Sequence, residues 1–444
     1  MTAPPGLLRR VLSEMPRTFG LAFPIIVGLA AATLIGLVDT IMIAPLGTEP
    51  LAAAGLTSSI LTIFLAALYG LIAVASILMA QASGSDEPDL VSARLRNGLA
   101  LAALAGLCAA AGMILLFPVL HLLGQPPQVL AILLPYWIAM ACLLVPFSAL
   151  YLIKGLFEAI ERPWMGTAFA LIGVLVNIPL NWLLIYGLGP WEELGLLGAG
   201  LASLFAQSFA LLCAWLYWIR ARSMAPYRAP ARLSLRTMRA LLSQGWPVAL
   251  TYTGEGLAYA VVGIMLGWLG AAALAANQMV GSIGSILYML PLGMAAAVGI
   301  RIAQVVGAGQ HDRTRAIGLG AIGSVVAWMA LVAGLLILWR RDIALALSDD
   351  PEVIAVASVV FLSVALMQVA DGIQSTAMGA LRGMSDNLVP AGVSILANWV
   401  IALPLAYLLG IWLEMGPGGV WIGYGLGLMT AAIALAIRFL RKSA

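Results

Sequence analysis

Twelve stretches of this chain are each apolar for at least the roughly 20 residues that a helix needs to cross a bilayer. They cover residues 18–45, 52–80, 95–118, 127–150, 165–188, 196–219, 241–269, 274–303, 315–339, 353–377, 388–411 and 419–440. Within hydrocarbon each backbone N–H and C=O must be satisfied inside the protein, so the spans are read as helices. The predicted fold is an all-α membrane protein with twelve transmembrane helices. The breaks carry Pro, Gly and charges, as in Ser83-Gly-Ser-Asp-Glu-Pro88. Only 9% of residues are charged, against about 25% in a soluble protein. Residues 1–17 are read as a short tail, not a cleaved signal peptide.

Charge sets the expected orientation. All Lys and Arg except Arg340 and Arg341 fall at the two ends of the chain or after spans 2, 4, 6, 8 and 10. By the positive-inside rule both termini are cytoplasmic, which requires an even number of spans. Trp164, Trp191, Trp218, Trp246, Trp339 and Trp412 fall near span ends, where interfacial tryptophans belong. Cys108, Cys142 and Cys213 lie in apolar spans without metal spacing and read as small buried hydrophobes.

The chain also repeats. At an offset of 223 residues Pro24 meets Pro247, Gly47 meets Gly270, Gly70 meets Gly293, Gln81 meets Gln304 and Gly84 meets Gly307. One insertion later Gly155 meets Gly379. Each half then holds six spans. An even number gives both halves the same orientation, related by a pseudo-two-fold along the membrane normal. The expected organisation is a six-helix lobe over 1–219, a cytoplasmic linker over 220–240 and a second six-helix lobe over 241–444. Two such lobes suit a transporter that rocks about a central cavity.

Three acids lie deep in spans: Asp39 in span 1, Glu255 in span 7 and Asp371 in span 10. Each costs about 2.5–3.5 kcal/mol on insertion scales unless a cation, a proton or water offsets it. No basic residue is read as lying deep in any span. Membrane carboxylates of this kind are functional by default, here as binders of a proton or Na⁺. Gly254 and Gly256 would let a helix or ligand approach Glu255. Glu255 aligns with Ala32, two turns before Asp39, so the lobes share a scaffold but not an acid pattern.

Neutral polar residues surround these acids in the sequence. Asn177 and Asn181 in span 5 are spaced i, i+4 and share a helix face, with Pro179 between them. Together with Asp39 they read as a polar pocket or, equally, as interhelical hydrogen bonding for packing. Asn277, Gln278, Ser282, Ser285 and Tyr288 give span 8 a polar face, and span 10 adds Gln368, Gln374 and Ser375. These are candidates to complete a shell with Glu255 and Asp371. Each alone reads more readily as interhelical packing. Met265, Met279, Met289, Met294 and Met367 are flexible groups suited to a cavity that accepts varied apolar shapes, although methionine is also common membrane filler. No phosphate-binding Gly-rich loop or catalytic motif occurs, so neither ATP-driven work nor an enzyme is expected.

At these residues the chain resembles the multidrug and toxic compound extrusion (MATE) family, in its NorM-like bacterial branch. The resemblance rests on Gly36-Leu-Val-Asp39-Thr, Asn177-Ile-Pro-Leu-Asn181-Trp, Glu255, and Asp371 followed by Gly379-Ala-Leu-Arg-Gly383. It implies export of cationic or amphipathic compounds across a bacterial cytoplasmic membrane, driven by Na⁺ or H⁺. It implies a cation site at Glu255 and Asp371, which would bind Na⁺ if coupling is to sodium, and a cation-linked switch at Asp39 beside Asn177 and Asn181. Position 367 is Met where some relatives are expected to carry an aromatic. The resemblance implies a monomer with no cofactor beyond the coupling ion, no nucleic-acid partner, and small molecules and lipid as its contacts. The rival readings are a flippase for a lipid-linked precursor and a passive cation channel. The flippase would favour intramembrane Lys or Arg.

Overall fold

The structure is a computed structural model that describes residues 7–122, 127–187 and 192–444. Trp191 lies outside them. Twelve helices long and apolar enough to cross a membrane follow one another, and the protein is a multi-pass membrane protein. They are α1 (Leu7–Ile43), α2 (Thr48–Gly84), α3 (Pro88–Leu122), α4 (Pro127–Ala159), α5 (Pro163–Tyr186) and α6 (Gly195–Arg220). Then come α7 (Leu235–Trp268), α8 (Ala271–Gly307), α9 (Thr314–Leu347), α10 (Pro351–Gly383), α11 (Leu388–Trp412) and α12 (Gly416–Lys442). Four helices start on proline, whose absent N–H would be an orphan there in any case. Asp350 caps α10 by accepting the Glu352 N–H at 2.9 Å.

Several helices outrun the spans read from hydropathy. α1, α2 and α8 have 37 residues each, about 55 Å at 1.5 Å per residue, against about 30 Å of hydrocarbon. Hydropathy reports the apolar middle, while backbone hydrogen bonding carries the helix on into polar sequence. Lys154 and Arg382, beyond the spans read from hydropathy, and Arg301, at the end of the eighth span, are helical, and they are buried at 6%, 6% and 4% exposure. All three lie within the last two turns of their helices. Each has a partner: Lys154 Nζ lies 3.7 Å from Glu158, Arg301 donates to Glu14 at 3.0 Å, and Arg382 stacks over Tyr252. Trp218 is also buried, its Nε1 donating to Tyr227 O, whereas Trp164, Trp246, Trp339 and Trp412 are exposed. Cys108 is exposed rather than buried, and the three cysteines are free.

The chain forms two compact units, one of Val27–Ala249 and one of Met1–Ile26 with Leu250–Ala444. These limits differ from the lobe boundaries at 219 and 241. The start of α1 joins the second unit because Glu14 accepts from Arg301 and from Arg313 Nε at 2.7 Å. Residues before Leu250 join the first because α3 holds them by hydrogen bonds. In the first unit α4 packs on α2, α3 and α6; in the second α10 packs on α8, α9 and α12. Glycine permits the closest approaches. A Cβ on Gly155 would strike Ser76, and one on Gly379 would strike the Ala295 carbonyl.

The repeat extends to the backbone. Residues with φ in the left-handed region recur in pairs: Gly47 and Gly270 (111° and 113°), Asp86 and Gly309 (56° and 70°), and Glu161 and Ser385 (60° and 58°). In two of these pairs a residue other than glycine holds the turn in one or both halves. Helix ends are thus copied between the halves more faithfully than side chains.

Candidate cation-binding site

Two acid clusters are present, one in each unit. In the first unit α1 presents Asp39 to α5 and α6. Asn181 Nδ2 donates to Asp39 Oδ1 at 2.6 Å, and Asn177 Nδ2 to the same oxygen at 3.3 Å. Ser203 on α6 donates to Oδ2 at 2.6 Å. The amides also bind each other at 3.0 Å, and Asn177 donates to Ser203 at 3.0 Å. Asp39 is 8% exposed, and both asparagines are fully buried. The i, i+4 spacing thus brings both amides onto one carboxylate, as the sequence implies. Every recorded partner of the carboxylate is a neutral donor, an arrangement that satisfies an ionised acceptor. Asn181 Oδ1 is buried without a partner.

In the second unit Glu255 lies on α7, half-buried. Its Oε1 accepts from Ser394 Oγ at 2.7 Å and from Gln374 Nε2 at 2.9 Å. Asn398 Nδ2 donates to Ser394 O at 2.9 Å, and Tyr424 donates to Asn398 Oδ1 at 2.8 Å. Asp371 sits one helical turn before Gln374 on α10. Its charge and that of Glu255 act on each other, and Tyr288 of α8 supplies it with a hydroxyl donor. The Arg382 guanidinium acts on Glu255 from farther off. Both donors to Glu255 fall on Oε1, which leaves Oε2 for another ligand. Gly254 accepts the Trp399 Nε1 at its carbonyl, 3.1 Å away, while Gly256 faces open space.

Helix α11 is distorted here. It makes π-helical turns at Ala397–Ala402 and Leu408–Trp412. Pro404 cannot donate to Val400, and a wider turn re-satisfies the freed carbonyls. The widening lies beside Asn398, in the cluster itself.

Other residues expected in the shell stand elsewhere. Met367 is buried in the apolar core of its unit and packs on Gly425. Ser282 donates to its own helix at Gln278 O. Asn277, Gln278 and Ser282 precede Tyr288 on α8 by about 9–16 Å along the axis. Gln368 is buried at 5% exposure, with Oε1 unpartnered.

Ser203, Ser394, Asn398 and Tyr424 belong to the clusters and were not singled out from the sequence. A signal for them exists. Asn177, Asn181 and Trp182 recur as Ser394, Asn398 and Trp399 at an offset of 217, and Gly195, Gly198 and Ser203 recur as Gly416, Gly419 and Tyr424 at 221. A search fixed at 223 misses both.

The MatE family model matches this chain twice, over residues 24–183 and 247–408. The chain belongs to the MatE family. The two matched segments start 223 residues apart, at the two repeated prolines. The chain is 32% identical to the probable multidrug resistance protein NorM of a Synechococcus strain, over 98% of this chain and 95% of that protein. It is 32% identical to the multidrug resistance protein NorM of Burkholderia vietnamiensis, over 99% and 96%. Among solved structures it is similar to the Vibrio cholerae MATE transporter VcmN in its bent form, with TM-score 0.88 and 20% identity over 98% of each chain. It is also similar to a eukaryotic MATE transporter, with TM-score 0.87 and 20% identity over 98% and 99%.

Proposed function

We propose that this MatE protein is a secondary active exporter of cationic or amphipathic compounds, driven by Na⁺ or H⁺ moving inward. The observation that carries the proposal is the Glu255–Asp371 pair. Two interacting carboxylates lie among neutral donors, with one oxygen of Glu255 left clear of protein donors. Such a pair holds excess negative charge that a proton or a sodium ion can neutralise. Na⁺ would take Glu255 Oε2 and an Asp371 oxygen, and it is cargo rather than a resident cofactor. Asp39 is a second cation-linked group. Exchange follows if the acids meet one side of the membrane with the coupling ion and the other with the exported cation. The two ligands then compete, through the carboxylates or through the equilibrium between states.

On this reading the protein works as a monomer in the bacterial cytoplasmic membrane with both termini cytoplasmic, an orientation that the distribution of arginines supports. Its contacts are small molecules and lipid, without nucleic acid or cofactor. A flippase for a lipid-linked precursor would need basic groups free to hold phosphate. Of the buried basic groups, Lys154 and Arg301 are paired with Glu158 and Glu14, and Arg382 stacks on Tyr252 near Glu255, which supports the exporter.

Glu255→Gln and Asp371→Asn preserve shape and remove charge. In proteoliposomes each is expected to abolish gradient-driven efflux while the protein elutes and melts as the wild type does. Normal efflux by both variants would sink the proposal.

A further inference from the structure

Residues 194–254 contain no Asp or Glu, yet six arginines crowd the end of α6, the connection after it and the first turns of α7: Arg220, Arg222, Arg228, Arg232, Arg236 and Arg239. Its backbone is pinned. A 3₁₀ stretch, Arg222–Arg228, buries Met224 completely. Arg228 is used internally, with Nε donating to Trp218 O at 2.6 Å and the guanidinium also reaching Ala221 O. From α3, Arg96 donates to Arg228 O at 3.1 Å, and Asn97 Oδ1 accepts Ser234 N–H at 2.8 Å. Ser234 then starts α7 by accepting the Thr237 N–H at 3.3 Å.

What the pinned backbone presents outward is different. Arg220, Arg222, Arg232, Arg236 and Arg239 are exposed. Between them Leu233 and Leu235 stand out at 65% and 84% exposure. The segment joins the ends of two membrane-spanning helices. Guanidinium forks match phosphate oxygens, and basic groups beside a spanning helix attract anionic lipid. Leucines exposed among such basic groups suit the headgroup–acyl boundary.

We infer that the 220–239 connection is a docking surface for anionic phospholipid of the cytoplasmic leaflet. The inference rests on the orientation given under the proposed function. Its occupant is a lipid rather than a free phosphate because the two protruding leucines match acyl chains, which a soluble anion lacks. Charge complementarity is one-sided, with no acid in the segment to compete for the arginines.

The test is native mass spectrometry of the full-length protein titrated with phosphatidylglycerol and, separately, phosphatidylcholine. The wild type is expected to prefer phosphatidylglycerol. Each surface arginine contributes about fivefold, so Arg232→Gln/Arg236→Gln/Arg239→Gln is expected to weaken phosphatidylglycerol binding at least about tenfold. Leu233→Ser/Leu235→Ser is expected to weaken it severalfold, and Arg340→Gln/Arg341→Gln to leave it unchanged. Equal binding of the two lipids by the wild type would overturn the inference, as would a triple variant that binds like the wild type. Binding of glycerol phosphate as tight as that of the lipid, and indifferent to the leucines, would assign the surface to a soluble anion instead. Because the readout is binding in detergent, a failure of antiport leaves it unaffected, and loss of lipid binding only in the Arg340/Arg341 variant would point to the opposite orientation.

Discussion

Asn97 holds the inter-helix connection in place, and its loss has a computable consequence. The residue is 1% exposed on α3, and its Oδ1 accepts the Ser234 N–H at 2.8 Å. Its Nδ2 donates mainly to Ala93 O in its own helix, at 2.8 Å, and only distantly to Arg232 O, at 3.4 Å. Asn97→Ala therefore removes one good bond to the connection and leaves a part-buried N–H without an acceptor. That costs about 1–2 kcal/mol, the lower part of the range for a stranded donor, or a factor of about 5–30 in the open-to-closed ratio of the segment. The connection carries arginines after which trypsin cuts, and cleavage needs the backbone released. Where reclosing outpaces cleavage, the cutting rate follows the open population. Limited trypsin digestion in detergent should then split Asn97→Ala into two large fragments about 5–30 times faster than the wild type. Equal rates for Asn97→Ala and the wild type would refute the reasoning.

Other consequences follow from the packing and the charges. Gly379→Ala pushes a methyl against the Ala295 carbonyl of α8 and should lower stability by at least about 1–3 kcal/mol in thermal unfolding; Gly256→Ala meets nothing within 4 Å and should melt nearly as the wild type does. Burial pushes Asp386 up, but Arg438 at 2.7 and 3.1 Å and Lys442 at 3.0 Å prevail and hold its carboxyl below the usual range. Its contribution is thus present above the unfolded value of about 3.9 and lost as pH falls through the lower folded one. Asp386→Asn should be less stable than the wild type at pH 7 by about 1–3 kcal/mol, and the gap in unfolding midpoints should close in strong acid; a gap constant with pH would contradict this. Asp39→Asn keeps an acceptor for Asn181 and can donate to Ser203, so it should fold and melt normally while losing gradient-driven efflux of a fluorescent cation.

The helices were legible because bilayer crossing imposes a length and a composition that hydropathy detects directly. Their ends were not, because a helix needs no apolar residue to continue once past the hydrocarbon. Lys154 and Arg382 mark that difference. The Asp39 pocket was legible because Asn177 and Asn181 share one helix, where spacing alone fixes the face. Ser203 was hidden because it comes from α6, and no local spacing links two helices. The Glu255 partners were hidden for a second reason. Ser394 and Asn398 repeat the Asn177 and Asn181 positions only after the register slips, next to the π-helical turns of α11. Met367 misled in the opposite direction, since a flexible thioether suits a cavity and a packed core equally well.

The central claim is that the acids exchange a coupling ion for an exported cation. Uptake of a fluorescent dye cation into proteoliposomes, with a Na⁺ gradient and a pH gradient imposed separately, tests it most directly. The account predicts transport that responds to one imposed gradient, names the ion by which gradient that is, and disappears in Glu255→Gln and Asp371→Asn. Dye movement independent of both gradients, or equally fast in those variants, would contradict it.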